Sequence, residues 1–219
     1  MVAPLRTRRA AFWYLGPDRI VAAVVSRTER EPVLEACAAS YSAPVAGACF
    51  APGVIEVAWV LGCDRVAHVA ALAASFCRVE ACEAETASKP RRQLSRVQRA
   101  TGDAGPGEII PTAQGGRERR GLVSGADGLR VWAEEGAVAQ AAALFRRARL
   151  HLVALDCEPC ALSSLSDALG TRDTDGARRQ HLSAVAVLPE SESAAEALGD
   201  DLAVPVGLAL AWFGIGRAL

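Results

Sequence analysis

The chain has 219 residues, of which 51% are hydrophobic and 22% charged, enough apolar material for one large domain or two small ones. Its formal net charge of -1 excludes a global field that would draw in nucleic acid or an anionic membrane. Among 24 basic residues only Lys89 is a lysine, a bias that with the abundant alanine points to codon composition rather than guanidinium chemistry. The basic start, Met1 to Arg9, is followed by a short apolar run, Ala10–Leu15, with no cleavage-type site after it, so the sequence predicts no signal peptide. No window reaches the roughly 18 consecutive apolar residues of a membrane span. The expected location is the cytosol.

In chain order, Ala11–Ser26 predicts strand, turn and strand, with Gly16-Pro17-Asp18 as the turn because glycine supplies unusual dihedrals and proline pre-sets its own. Pro32–Ala43 predicts a third strand of the same meander. Val54–Val60 and Arg65–Leu72 read as strands joined by the turn Leu61–Asp64, and Ala74–Ala87 and Arg91–Ala100 as helices broken at Lys89-Pro90. Residues 101–120 are rich in glycine, proline and charge and predict a loop. Leu122–Ser124 and Leu129–Ala133 are short strand patterns. Gly136–Arg149 is the clearest helix, with Val138, Ala142 and Phe145 on one stripe and basic residues at its C-terminal end. Leu150–Leu155 predicts a buried strand, and Asp156–Gly170 a turn into a helix. Thr171–Arg179 is expected to be loop, Leu182–Leu188 strand, Ser191–Leu198 a short acidic helix and Val204–Leu219 a closing apolar helix. This order predicts an α/β layered fold.

Three segments in order resemble the PilM/HofM family of actin-like type IV pilus assembly proteins. Tyr14–Arg27 is similar to the family's opening strand–turn–strand, with Gly16 in the turn. Gly136–Leu165 is similar to its helix followed by a strand–turn–helix, with Asp156, Glu158, Pro159, Ala161 and Leu162 on matching positions. Pro205–Gly214 resembles the Gly-Leu-Ala-Leu closing helix, with Gly207 to Leu210 matching. A weaker likeness covers Val57–Leu72 and the stretch up to Pro90, which resemble the entry strand and helix of a small inserted subdomain. The resemblance implies an actin-like (ribonuclease H-like) core from 1–64 and 121–219. A small α+β insertion would span 65–120, with a flexible loop at about 101–120. The second actin-like half would be largely missing.

The resemblance also implies a function, and the departures from it narrow that function. ATP-binding relatives grip phosphates with two glycine turns, the first carrying an aspartate and a nearby lysine. Tyr14 stands where the aspartate belongs and Val21 where the lysine would fall. Only about 30 residues lie between Gly170 and Asp200, with no second phosphate turn or adenosine motif. ATP binding and catalysis are therefore expected to be lost, leaving no cofactor, no resident metal and no enzyme. What remains is a scaffold of a pilus inner-membrane platform, peripheral to the membrane through a PilN-like partner whose cytosolic N-terminal peptide would dock along a strand. The groove is placed at Arg65, Val66, His68 and Val69, opposite Arg91 and Leu94. A type II secretion platform domain is the related reading.

Other chemistry is thinner. Cys157 and Cys160 form a C-x-x-C between a strand and a helix, which supports the alternative of a small thiol-redox or metal-binding protein. Glu158 and Asp156 disfavour a thiolate there, and no second pair completes a metal site in the sequence. All seven cysteines are expected to be buried and reduced. His68 and His151 read as structural, Ser163-Ser164 lack a nucleophile-elbow pattern, and the basic stretch Arg91–Arg99 with Arg117–Arg120 reads as a solvated face.

Overall fold

In the opening strands every residue is apolar over a long stretch, so both faces are buried and the strand lies inside a layered structure rather than on a surface. A computed structural model describes residues 9–29, 31–44, 47–81, 110–111, 117–118, 129–171 and 173–215. Strands β1 (Arg9–Leu15), β2 (Arg19–Arg27) and β3 (Pro32–Tyr41) form an antiparallel meander. Strand β4 (Ala67–Leu72) then pairs parallel to β1. Helix α1 (Val54–Leu61) precedes β4, and β5 (Cys77–Ala81) follows it after a 3-10 turn at Ala74–Phe76. The pairs β6 (Ile110–Pro111) with β7 (Arg117–Glu118), and β5 with β8 (Leu129–Ala133), are antiparallel and stand apart from the large sheet. Helix α2 (Glu135–Arg147), strand β9 (Leu152–Cys157) and helix α3 (Glu158–Leu169) come next. Helix α4 (Thr174–Arg179), the two-residue strand β10 (Ala186–Val187), α5 (Glu192–Leu198) and α6 (Ala203–Phe213) complete the described chain. The large sheet has the order β10-β3-β2-β1-β4-β9, and β9 is parallel to β4.

Alternation along each central strand feeds two cores. Ala10, Phe12 and Tyr14 of β1, with Val21, Ala23 and Val25 of β2, pack under α3 and α6. Ala11, Trp13 and Leu15, with Ile20, Ala22 and Val24, pack under α1 and α2. The result is a three-layer α/β fold, helices on both faces of a mixed sheet.

Several expectations are corrected. Val54–Val60 is helix, not strand: Val54, Val57, Ala58 and Leu61 are its buried residues, the i, i+3, i+4, i+7 period, and Gly62 ends it in the left-handed conformation at φ 56°. Its β-branched residues gave a strand-like composition. Ala74–Ala87 opens with a 3-10 turn and the strand β5, because Cys77–Ala81 finds a ladder partner in Leu129–Ala133 and tertiary pairing outweighs alanine's helix propensity. Thr171–Arg179 contains α4, which Asp173 caps by accepting from the backbone N–H groups of Asp175 and Gly176. Of Leu182–Leu188 only Ala186 and Val187 pair, with Val33 and Leu34, after a 3-10 turn at His181–Ala184. The buried stripe of α2 is Ala137, Ala141 and Phe145, one step from the predicted one at its first two positions. The closing helix stops at Phe213, where Gly214 adopts φ 70°. Ala67–Leu72, assigned by sequence to the 65–120 insertion, is a strand of the large sheet between β1 and β9. The predicted helix Arg91–Ala100, the break at Lys89-Pro90, the strand Leu122–Ser124 and most of the 101–120 loop lie outside the described residues.

Candidate functional site

Three strand ends meet at one edge of the sheet. Leu15 of β1 is in register with Leu72 of β4, and Leu72 with Cys157 of β9. Parallel strands leave a crevice beyond their carboxyl ends, the usual place for a ligand in an open α/β sheet. At these ends stand the β1–β2 turn, the segment Ala73–Phe76 and the first turn of α3. Gly16 holds the turn: its N–H donates to the Arg19 carbonyl at 2.9 Å and its carbonyl accepts from Ala51 N–H at 2.9 Å. A Cβ at Gly16 would meet Tyr14 Cε1 at 2.9 Å and the Arg19 carbonyl at 3.1 Å, so the Tyr14 ring lies against the glycine.

The polar groups at these strand ends engage one another. Glu158, at the start of α3, is 9% exposed. Its Oε2 accepts from the Ala74 N–H at 2.8 Å, and its Oε1 pairs with Arg178 Nη2 from α4. One carboxylate thus holds both a backbone donor and an arginine at these strand ends. Tyr14 is buried beside this pair, and burial, followed by the negative charge of Glu158, pushes its phenol up to about 12. The ring keeps its proton at neutral pH. Arg19 lies over it, guanidinium carbon 5.3 Å from the ring centre, and forms an ion pair with Asp201 at 3.1 Å. Val21 is fully buried within β2. Pro159 sits in the first turn of α3, where its missing N–H costs no helical bond.

Behind Glu158 lies a sulfur cluster. Cys157 is the N-cap residue of α3 and fully buried, and its Sγ is 3.2 Å from Cys160 Sγ one turn later. Asp156 Oδ1 accepts from the Cys157 N–H at 2.9 Å. Asp156, Cys157 and Cys160 bring their ligand atoms within 4.8 Å of one another. Cys77, the first residue of β5, is half-buried and lies outside that group. The hydrogen bond with Cys160 favours the Cys157 thiolate, but Cys77, burial and the Asp156 charge oppose it, and the thiol is held well above its ordinary value. A nucleophilic thiolate is disfavoured. Among the described cysteines, Cys49, Cys77 and Cys160 are only half-buried, and all six are free of disulfides.

Of the described residues in the predicted docking groove, two lie in the core. His68 and Val69 are fully buried in β4 and reach no surface. His68 Nδ1 accepts from Trp13 Nε1–H at 3.0 Å, inside a cluster with Phe145. Burial, then the neighbouring His151, pulls its pKa down to about 4. Val66 is half-buried against the α1–α2 core. Among the described groove residues Arg65 alone is open, with its side chain 94% exposed beside Asp64. Arg91 and Leu94 lie outside the described residues. What sequence reasoning missed lies just before Arg65: Ile55, Trp59 and Val60 of α1 are 64%, 84% and 63% exposed. The signal was present as an apolar residue at every position of Val57–Leu61, too many for one buried helix stripe, but a strand reading hid it.

No family model matches this chain, and no curated protein matches it. Among solved structures, a chain described as "PilM-PilN type IV pilus biogenesis complex" superposes with a TM-score of 0.52, covering 97% of this chain and 100% of that chain at 13% identity. At that identity the likeness is one of fold: this chain has an α/β fold of the kind found in that complex. No helix of the described residues is long and apolar enough to cross a membrane.

Proposed function

We propose that this protein is a non-catalytic scaffold of a type IV pilus or related secretion platform, docking the cytosolic N-terminal peptide of a PilN-like membrane protein. The observation that carries this reading is the fold likeness to the PilM-PilN complex over nearly the whole chain. The sheet order β3-β2-β1-β4-β9, antiparallel and then parallel, is the one an actin-type, ribonuclease H-like half requires, which supports that finer assignment. Glu158 already satisfies Ala74 and Arg178, and Tyr14 covers Gly16, which supports loss of ATP binding and of enzymatic activity. The chain then acts in the cytoplasm and reaches the inner membrane through its partner.

The docking face is the outer side of α1 and the exposed Arg65 that follows it, in place of the buried β4 residues. Ile55 and Trp59, one turn apart, offer apolar seats of the kind that anchor a peptide. Fluorescence anisotropy with labelled N-terminal peptides of PilN-type proteins from the same genome tests it. Saturable binding at tens of micromolar or tighter supports the scaffold reading, and no binding by any of them removes it.

A further inference from the structure

Cys157 ends β9 and is at once the N-cap residue of α3, and Cys160 stands at the third position of that helix. Side chains at these two positions face each other across the first helical turn, the relation a capping box uses. Here both are cysteines, and their Sγ atoms stand 3.2 Å apart. They are unequally placed. Cys157 is fully buried, whereas Cys160 is half-buried and partly open to solvent. The scaffold role uses neither sulfur.

We propose that Cys157 and Cys160 form a redox modification site, which a low-molecular-weight disulfide converts reversibly into an intrachain disulfide at the N-terminus of α3. Cys160 is the attacking sulfur, because it is the one that meets solvent. The first turn of the helix favours a thiolate there, and Arg178 offsets the nearby charge of Glu158. Having lost its proton to solvent, Cys160 Sγ attacks one sulfur of the small disulfide, breaks its S–S bond and releases one small thiolate. Cys157 Sγ, giving up its own proton, then attacks Cys160 Sγ in the mixed disulfide and releases the second. The two released thiolates take up the two protons, so two protein thiols are oxidised and one small disulfide is reduced. Burial holds the Cys157 thiol far above its ordinary value, which suits it to the intramolecular second step rather than to the first. The product needs the sulfurs to close by about 1 Å, to the roughly 2.0 Å of an S–S bond. It encloses only Glu158 and Pro159. So short a loop constrains the unfolded chain less than a long one, which suits a reversible state rather than a structural staple. In the cytoplasm proposed for this chain, disulfides are of that transient, sensing kind.

The test equilibrates the reduced full chain in glutathione buffers of rising oxidised-to-reduced ratio, followed by acid quench, alkylation, trypsin and mass spectrometry. The tryptic peptide Leu150–Arg172 carries these two cysteines and no other. It is expected to pass from doubly alkylated to unalkylated, lighter by two hydrogens than the dithiol, and to revert with dithiothreitol. In Cys157→Ser, Cys160 should retain glutathione, since the resolving thiol is gone. In Cys160→Ser, glutathione should reach Cys157 at least about tenfold more slowly than it reaches Cys160 in the other variant. Should either variant fail to fold by circular dichroism, the wild-type peptide carries the test. A folded wild-type chain whose peptide stays doubly alkylated in the most oxidising buffer overturns the proposal. So does glutathione retained on wild-type Cys160, a disulfide from Cys157 to any other cysteine, or equal rates in the two variants. Peptide binding plays no part in this readout, so the redox site and the scaffold role stand or fall separately.

Discussion

Gly207 of α6 lies directly on the backbone of Ala161 in α3: a Cβ at position 207 would stand 2.2 Å from the Ala161 carbonyl oxygen and 2.8 Å from its carbon. The obstacle is backbone, which cannot rotate aside. The close approach lets α3 and α6 cover the same core, where Leu165, Leu208 and Phe213 are buried. Gly207→Ala is expected to destabilise the chain by about 1–3 kcal/mol through overpacking, with the helix-propensity gain of about 1 kcal/mol offsetting part of a larger strain. Urea unfolding measures it. An unchanged or higher midpoint would show that the helices separate freely.

The Glu158 carboxylate leads to a second expectation. Glu158→Ala leaves the Ala74 N–H and Arg178 without that acceptor, and a cost of about 1–3 kcal/mol follows for the loss of these partly buried bonds. Glu158→Gln keeps an oxygen for Ala74 and should cost less. In the same melts, millimolar Mg-ATP is expected to leave the wild-type midpoint where it is, since a ligand that binds only the folded state must raise it. A rise with ATP would show that the crevice opens to nucleotide.

His68 predicts a pH dependence. Its folded value of about 4 lies below the 6.5 of an exposed imidazole, so between these limits the unfolded chain binds the extra proton. Stability is therefore full above about pH 6.5 and is lost as pH falls toward 4, by roughly 3 kcal/mol in total. His181, also lowered by burial, adds in the same direction. Denaturation midpoints at pH 7 and pH 5 should differ, and the difference should shrink in His68→Gln, which retains an acceptor for Trp13. Equal pH sensitivity in that variant would assign the effect elsewhere.

The parts legible in the sequence were those where one physical signal dominates. The Gly-Pro-Asp turn and its flanking apolar runs gave β1 and β2, and the proline and glycine ends of Glu158–Leu169 gave α3. Where signals compete, reading failed. Val54–Leu61 carries strand-forming side chains on a helical period, and Cys77–Ala81 is a strand only because a partner arrives from residue 129 onward. The site suffered for the same reason. The C-x-x-C was visible, but His68 was placed on a surface because nothing local reveals that β4 has neighbours on both edges.

Trp59 offers the sharpest separation between stability and function. Its side chain is almost wholly in water, so replacing it removes little packing, and exposed substitutions of this kind usually change stability by less than about 0.5 kcal/mol. The buried side of α1, through Val54, Val57 and Leu61, is untouched by the change. Trp59→Glu is therefore expected to melt like the wild type and to be more soluble, while losing at least tenfold in affinity for a PilN-type peptide, the effect of about 1.4 kcal/mol or more that loss of an aromatic anchor brings. Arg65→Glu, on the neighbouring loop, should weaken binding less and change its salt dependence, as a charge at the rim does. If Trp59→Glu binds the peptide as tightly as wild type, the docking face lies elsewhere on the molecule. If it instead unfolds the chain, the exposed ring is part of the fold.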